Sequence, residues 1–299
     1  MEAIKNINYT KQHLLKIANQ ANTLREANIL GGILPRIDMG IIPQNDKRPW
    51  HFFDVYESLG LDRDQNYNLL EIGNRWCGSL WGWRVWLPES NIYGLDIDPE
   101  TQKFANQNPE LGIKVFQGDQ KDVGLLKNIH KEAKKLHIVI DDGGHTMSQI
   151  NTSFKTLWPL LEDGGVYVIE DLQCCYWPGF EGGYKKEESS MEMIKSLFDN
   201  VHACYYKEEC KDTKSKRAKD LIVNEPTNYL DKSVASIHLY DSIAVIYKQV
   251  KPKLQPTSLE CNFTHEVFEP YHVDNRFLNS QEISHYKNLY HQTYNSLVK

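Results

Sequence analysis

Residues 233–248 read SVASIHLYDSIAVIYK, two apolar runs separated by the turn residues Tyr240, Asp241 and Ser242. Two strands joined by so short a connection pair antiparallel, because a parallel pair needs a crossover of about a dozen residues or more. The stretch therefore predicts a β-hairpin. Because the segments before it predict parallel strands, this hairpin narrows the choice of fold considerably.

Five short apolar runs precede the hairpin, and helix-like segments separate them. The runs are YNLLEIG at 67–73, NIYGLDI at 91–97, IKVFQGD at 113–119, LHIVIDD at 136–142 and GVYVIED at 165–171. Strands that alternate with helices are typical of a parallel sheet covered on both faces. We therefore predict an α/β fold with a mostly parallel, seven-stranded sheet that ends in an antiparallel hairpin.

The rest of the chain divides into an N-terminal cap and a C-terminal extension. Residues 9–29 repeat apolar side chains on one helical face, and a Gly-Gly pair and Pro35 end that helix. The predicted organisation is a helical cap and lid over 1–52, a catalytic domain over 53–250 and an extension over 251–299.

Composition limits the partners of the chain. Its 299 residues carry a formal net charge of −6, and the basic run KDTKSKRAKD at 211–220 is typical of a solvated face, so no nucleic-acid partner is expected. No apolar run approaches the ~20 residues that span a bilayer, and the N-terminus lacks the apolar core of a secretory signal, so no membrane partner is expected either. Six cysteines without a CxxC pair indicate reduced thiols in a cytoplasmic protein. We also expect a homo-oligomer, in which the cap reaches a neighbouring subunit.

An acidic residue or a glycine follows each predicted parallel strand. In strand order these are Glu71 and Gly73, Asp96, Gly118 and Asp119, Asp141 and Asp142, and Glu170 and Asp171. Ligands of open parallel sheets bind beyond the carboxyl ends of the strands. One such acid is as often a helix N-cap. Five in succession predict an electronegative crevice that holds hydroxyls, amines or a positive charge.

The turn after the first strand, EIGNRWCGS at 71–79, lacks the GxGxxG pattern of dinucleotide-binding proteins. Arg75 and Trp76 stand where a pyrophosphate needs bare backbone. Asp96 suits ribose hydroxyls, and Asp119 suits the edge of an adenine. S-adenosylmethionine offers both groups together with an amine and a sulfonium, and has no phosphate, so it is the favoured cofactor. The candidate cofactor-binding residues are Glu71, Gly73, Ser79, Asp96, Asp119 and Asp141.

The fourth and fifth strands end in carboxylates that are expected to converge. As sheet neighbours these strands lie about 4.8 Å apart, and like charges that close repel unless a cation lies between them. Asp142, Glu170 and Asp171 offer only oxygen ligands, which suits Mg²⁺. The alternatives are helix caps or a carboxylate pair with a raised pKa. His145 is predicted to be a general base, because imidazole is largely neutral at cellular pH and an all-oxygen ligand set does not need it.

Four motifs, LLEIGNRWCGSL, IYGLDIDPE, IDDGGHT and YVIEDLQCCYWPGFEGGY, resemble those of metal-dependent O-methyltransferases that act on macrolide sugars (the mycinamicin and macrocin type). They are also similar to cyanobacterial tailoring O-methyltransferases of the microcystin type, and more remotely to cephalosporin hydroxylases. The resemblance covers about residues 53–250 and implies a Rossmann-like class I methyltransferase fold. It also implies that Asp142, Glu170 and Asp171 hold Mg²⁺, and that His145 takes the proton from the hydroxyl to be methylated.

Two positions depart from the pattern of that family. Cys77 replaces the second glycine that usually precedes the serine of the first motif, and Cys174-Cys175 replaces a Thr-Ser pair after the metal acids. The aromatic loop CCYWPGFEGGY at 174–184 predicts Tyr176, Trp177 and Phe180 as walls for a bulky apolar substrate, with packing under the loop as the alternative. Four tryptophans are expected in the core: Trp76, Trp81, Trp83 and Trp86.

These observations favour Mg²⁺-dependent transfer of a methyl group from S-adenosylmethionine to a hydroxyl of a natural product, such as a macrolide sugar, a polyketide or a peptide-polyketide. A nicotinamide-dependent oxidoreductase on a Rossmann sheet is the second hypothesis, and the missing GxGxxG pattern argues against it. A non-catalytic relative with a vestigial pocket is the third. The retained acids and His145 argue against that reading.

Overall fold

The computed structural model describes residues 51–109, 112–202, 229–249, 257–258 and 272–273. The chain divides into two compact units, Met1–Leu197 with Ala235–Gln249, and Phe198–Val234 with Val250–Lys299. The helix predicted at 9–29, the basic run at 211–220 and nearly all of the C-terminal extension lie outside the described residues. The predictions made for them stay predictions.

The first unit is built on a seven-stranded sheet. The strands are β1 Asn68–Ile72, β2 Asn91–Asp96, β3 Ile113–Gln117, β4 Leu136–Asp141, β5 Leu161–Ile169, β6 Val234–Tyr240 and β7 Ile243–Lys248. Their order across the sheet is β3-β2-β1-β4-β5-β7-β6. Strands β1 to β5 pair in parallel, and β7 pairs antiparallel with β5. The predicted fold class is confirmed, including the hairpin at the end of the sheet.

Helices alternate with the parallel strands, as predicted. They are α1 His51–Glu57, α2 Gly78–Trp86, α3 Pro99–Gln107, α4 Val123–Ala133, α5 Met147–Leu157, α6 Ser190–His202 and α7 Tyr229–Ser233. In the second unit, β8 Thr257–Ser258 and β9 His272–Val273 pair antiparallel. Among the described helices, none combines the length and the apolar character that crossing a membrane requires.

Apolar side chains on the strands and helices form the core of the first unit. Phe52, Tyr56, Trp81 and Trp83 are buried in one cluster with residues of β1, β2 and β4. The core assignment is therefore confirmed for Trp81 and Trp83, whereas Trp86 is only partly buried and packs against the cluster. The side chain of Trp76 lies outside the described part of the chain.

The strand register aligns the carboxyl ends of the four central strands. Ile72 pairs with Leu95 on one side and with Asp141 on the other, and Asp141 pairs with Ile169. The residues that follow these positions therefore form one row along the carboxyl edge of the sheet. This row carries most of the side chains that the sequence singles out.

Candidate active site

The helices that follow β2, β3 and β4 are capped by residues other than the strand-end acids. Asp98 accepts a hydrogen bond from the Glu100 amide at the start of α3, and Asp122 accepts one from the Leu125 amide at the start of α4. Thr146 forms a capping box with Gln149 at the start of α5. Because these residues cap the helices, none of Asp96, Asp119 and Asp142 is the N-cap of the helix that follows it.

Three side chains at the edge between β4 and β5 form a group with the donor atoms of a metal site. Asp142, His145 and Asp171 each present one such atom, and these atoms lie within 4.8 Å of one another. The Nε2 atom of His145 is 3.5 Å from Oδ2 of Asp171 and 4.0 Å from Oδ1 of Asp142. The structure therefore brings the two aspartates together as predicted, and places the imidazole between them.

Glu170, the remaining predicted metal ligand, is not in this group. Its side chain is buried, and a carboxylate oxygen accepts a hydrogen bond from the Tyr56 hydroxyl of α1. Burial raises the pKa of Tyr56 well above its usual value, and the charge of Glu170 raises it further. Both acids lie beyond the end of β5, and Asp171 has a left-handed backbone, so the two side chains take different directions: Glu170 is buried and Asp171 is partly exposed beside His145. The metal-ligand role of Glu170 remains a prediction.

Two residues of the group have left-handed backbone conformations. His145 has a φ of 56° and Asp171 a φ of 55°, which residues with a Cβ adopt only at a cost. Strained residues of this kind persist when their surroundings fix them, and they cluster at functional sites. The strain therefore fits a role for His145 and Asp171 that goes beyond packing.

The carboxylate of Asp141 points into the protein, and its cofactor-binding role remains a prediction. It is almost completely buried, and it accepts hydrogen bonds from Gln120 Nε2 at 3.0 Å and from the Tyr167 hydroxyl at 3.2 Å. The Ser153 hydroxyl donates to the same carboxylate. Burial raises the pKa of Asp141, and these three donors oppose that shift. Both oxygens accept internal donors, so the side chain helps to fix the end of β4.

The predicted cofactor residues fall into a buried set and an accessible set. Glu71 is completely buried, and its carboxylate is not open to the crevice. Asp96 is 8% exposed, and its two oxygens accept the amides of Asn74 and Asp98 at 2.8 Å each. Asp119 and Ser79 are partly exposed. Two backbone amides thus fix the Asp96 carboxylate at the end of β2, and each of its oxygens can accept a further hydrogen bond, as from a ligand hydroxyl.

Gly73 makes room for the loop that carries the metal candidates. Its φ is +82°, and a Cβ added there would lie 2.0 Å from the backbone oxygen of Asp142. The position therefore requires glycine, both for its conformation and for the close approach of another chain segment.

Cys77 occupies its glycine-type position at a conformational cost. It is left-handed, with φ 55° and ψ 16°, which explains why glycine suits this position. Its side chain is completely buried, and its Sγ lies 3.7 Å from the carbonyl oxygen of Thr101. Burial raises the pKa of the Cys77 thiol, so the residue acts as a small core side chain.

The aromatic loop divides into a buried stem and an exposed tip. Cys174 and Cys175 are buried free thiols, and burial raises the pKa of each to about 11. Tyr176 and Trp177 are 45% and 48% exposed. The stem thus packs inside, and the two predicted substrate-binding side chains remain open to a ligand.

Phe180 and Glu181 connect the tip of this loop to the rest of the site. The Phe180 ring lies 6.4 Å from the His145 ring, and Glu181 accepts both the amide and the hydroxyl of Ser148 at the start of α5. Sequence reasoning missed Glu181, as it missed Tyr56 and Gln120. Tyr56 and Gln120 lie outside the four motifs, and Glu181 lies inside the fourth motif, which does not indicate its partner; the distant hydrogen-bond partners in the fold reveal all three.

The strand order and the terminal hairpin are those of class I methyltransferases, and solved structures of this class resemble the chain. MycE methyltransferase from the mycinamycin biosynthetic pathway, in complex with Mg and SAH, matches with a TM-score of 0.59 and 29% identity over 74% of this chain and 55% of that chain. Its complex with Mg, SAH and mycinamycin VI matches with a TM-score of 0.58. No protein-family model matches the chain.

Curated relatives are sugar O-methyltransferases. Mycinamicin VI 2''-O-methyltransferase of Micromonospora griseorubida is 35% identical over 62% of this chain and 45% of its own length. Demethylmacrocin O-methyltransferase of Streptomyces fradiae is 34% identical over 63% of this chain and 46% of its own length. The chain thus spans about half the length of the curated relatives it matches. The resemblance to macrolide-sugar enzymes is confirmed, and the similarity to cyanobacterial enzymes stays a prediction.

Proposed function

We propose that the chain is a Mg²⁺-dependent O-methyltransferase that uses S-adenosylmethionine and acts on a hydroxyl of a natural product, most specifically a sugar hydroxyl of a macrolide or polyketide. One observation carries the proposal. Asp142, His145 and Asp171 converge at the carboxyl edge of a methyltransferase sheet, in a chain that is similar to sugar O-methyltransferases.

The residues fit the two groups that this activity requires. Asp96 is held by two backbone amides with its oxygens at the end of β2, which suits the ribose hydroxyls of S-adenosylmethionine. Asp142 and Asp171 offer the carboxylate oxygens that Mg²⁺ prefers, and Glu170 is the further acid proposed for the ion. A bound Mg²⁺ would polarise the hydroxyl oxygen and fix its position.

His145 is proposed to be the general base. Methyl transfer breaks the S–CH₃ bond of the sulfonium, forms an O–CH₃ bond and releases the hydroxyl proton, which Nε2 of His145 accepts. Its Nε2 lies 3.5 Å from Oδ2 of Asp171 and 4.0 Å from Oδ1 of Asp142, next to the acids that are proposed to hold the ion. Tyr176 and Trp177 are exposed on the aromatic loop whose Phe180 lies near His145, and they are proposed to contact the apolar part of the substrate.

The oxidoreductase hypothesis is disfavoured by the turn after β1. That turn lacks the GxGxxG pattern, and Arg75 and Trp76 stand where a pyrophosphate needs bare backbone. Reduced thiols, of which Cys174 and Cys175 are adjacent examples, support a cytoplasmic location. A homo-oligomer without nucleic-acid or membrane partners remains a prediction from the sequence.

Calorimetric titration with S-adenosylmethionine and NAD, each with and without Mg²⁺, tests the cofactor part of the proposal. S-adenosylmethionine should bind and NAD should not. Asp96→Ala should weaken S-adenosylmethionine binding about tenfold or more, because hydrogen bonds to a charged acceptor contribute roughly 1.5–3 kcal/mol. Asp98→Ala, which removes a nearby helix cap, is the matched control and should bind normally. NAD binding, or unchanged affinity in the Asp96 variant, would contradict the proposal.

A further inference from the structure

Gln120 lies buried just after β3 and connects two parts of the chain through its side-chain amide. Its Nε2 donates to Oδ1 of Asp141 at 3.0 Å, and its Oε1 accepts the backbone amide of Gly144 at 2.8 Å. Nε2 also lies 3.5 Å from the Ser153 hydroxyl. Donor and acceptor are therefore both used, which a buried amide requires.

The loop between β4 and α5 is shaped to receive this side chain. A Cβ added to Gly143 would lie 1.9 Å from Oε1 of Gln120, and a Cβ added to Gly144 would lie 2.3 Å from Oε1 of Gln149. Neither glycine has a positive φ. Gly143 and Gly144 thus leave space for the side chains of Gln120 and Gln149. This close packing, and not backbone conformation, explains why both positions are glycine.

The side chain of Gln120 thus bridges Asp141 and the Gly144 amide, and the Asp141 end of this bridge is held by several hydrogen bonds. Asp141 is the last residue of β4, and its second oxygen accepts the hydroxyls of Ser153 on α5 and Tyr167 on β5. The loop itself is held by the Asp142 amide, which donates to the Ile72 carbonyl at 2.9 Å. Gly144 is the next fixed amide, directly before the strained His145.

We propose that Gln120 is a positioning residue, which transmits the rigid frame around Asp141 to the Gly144 amide and thereby holds Asp142 and His145 in the geometry that the reaction needs. The proposal rests on the proposed function for its catalytic consequence. Its structural content, a bridge that orders the loop at 142–145, stands on the hydrogen bonds alone. A side chain that only filled the core would be replaceable by any residue of similar volume.

Exchanging the hydrogen-bond donor and acceptor between residues 120 and 141 distinguishes a positioning role from simple filling of the core. Gln120→Met keeps the volume and removes both hydrogen bonds. Gln120→Glu with Asp141→Asn restores them with reversed polarity, because Nδ2 of the new amide donates to the new carboxylate, which still accepts the Gly144 amide. The oxygen left on residue 141 accepts from Ser153 and Tyr167 as before. Gln102→Met is the matched control, because Gln102 donates to the Val115 carbonyl at 3.1 Å away from this loop.

Hydrogen exchange of the Gly144 amide and the affinity for Mn²⁺, a paramagnetic stand-in for Mg²⁺, are the measurements. Gln120→Met should speed exchange of that amide about tenfold or more and weaken Mn²⁺ binding by a similar factor. The double variant should return both toward the wild-type values, and Gln102→Met should change neither.

Three results would overturn the proposal that Gln120 positions Asp142 and His145: unchanged exchange at Gly144 in Gln120→Met, altered exchange with unaltered Mn²⁺ affinity, or no recovery in a double variant whose melting temperature equals that of the wild type. A wild-type protein that binds no Mn²⁺ contradicts the proposed function instead. In that case the exchange rates at Gly144 still decide whether Gln120 orders the loop.

Discussion

Neighbouring acids at the carboxyl edge have opposite roles because their side chains point in opposite directions. Asp141 and Glu170 are 1% and 2% exposed and bind internal donors. The side chains of Asp142 and Asp171 are 22% and 29% exposed and face His145. In both pairs, Asp141-Asp142 and Glu170-Asp171, the first side chain is buried and hydrogen-bonded inside the protein, and the second is partly exposed at the carboxyl edge of the sheet. The division arises where the chain leaves the sheet, because β4 ends at Asp141 and β5 ends at Ile169, and Asp171 then takes a left-handed conformation.

The role of His145 is the sharpest question at this scale. If it is the base, His145→Ala should lower kcat by roughly 10²–10⁴-fold while the affinities for S-adenosylmethionine and Mg²⁺ stay nearly intact. The measurement combines steady-state kinetics with calorimetry of both ligands. His130→Ala, a substitution in the last turn of α4, is the matched control and should leave all three values unchanged.

A loss of Mg²⁺ affinity in His145→Ala would assign the imidazole to the ion. Its Nε2 lies close enough to both aspartates for that role, which the sequence alone disfavoured. Normal turnover in the variant would remove His145 from the mechanism altogether.

At the scale of elements, the starts of β1 and β4 are joined by a histidine that must stay neutral. Nδ1 of His137 accepts a hydrogen bond from the backbone amide of Asn68 at 2.9 Å. Burial lowers the pKa of His137, with Glu162 opposing the shift and Lys135 adding to it. Protonation at Nδ1 would remove the only acceptor that the ring offers to this amide.

The sign of the pH effect follows from this lowered pKa. At a pH below the ordinary histidine pKa of ~6.5, His137 binds a proton in the unfolded chain but not in the folded chain. The free energy of unfolding therefore falls as the pH drops through that value. The loss continues until His137 is protonated in the folded state as well. His137→Asn keeps an acceptor near the position of Nδ1 and cannot titrate. The wild type should therefore lose more unfolding free energy than His137→Asn between pH 7 and pH 5, measured by urea denaturation. Parallel pH profiles would contradict the assignment.

At the scale of the molecule, the sequence predicts the sheet well because the fold depends on periodicity and connection length. The five apolar runs, the helices between them and the hairpin at 233–248 all lie where the patterns place them. The convergence of Asp142 and Asp171 also follows, since β4 and β5 are sheet neighbours.

What the sequence does not predict is which way each side chain turns and which distant residue it meets. Tyr56 reaches Glu170 across 114 residues, and Gln120 reaches Gly144 across 24. No local pattern marks either contact. The inward turn of Asp141 likewise depends on Ser153 and Tyr167, which three-dimensional packing alone brings together.

The central claim is methyl transfer that depends on Mg²⁺, and transfer of a labelled methyl group from S-adenosylmethionine to macrolide glycosides such as mycinamycin VI measures it directly. EDTA should abolish incorporation of label, excess Mg²⁺ should restore it, and Asp171→Asn should need more Mg²⁺ for half-maximal activity. Glu192→Gln, which breaks an exposed ion pair with Lys195 on α6, is the control and should keep the wild-type requirement. Undiminished incorporation of label in excess EDTA would contradict the account.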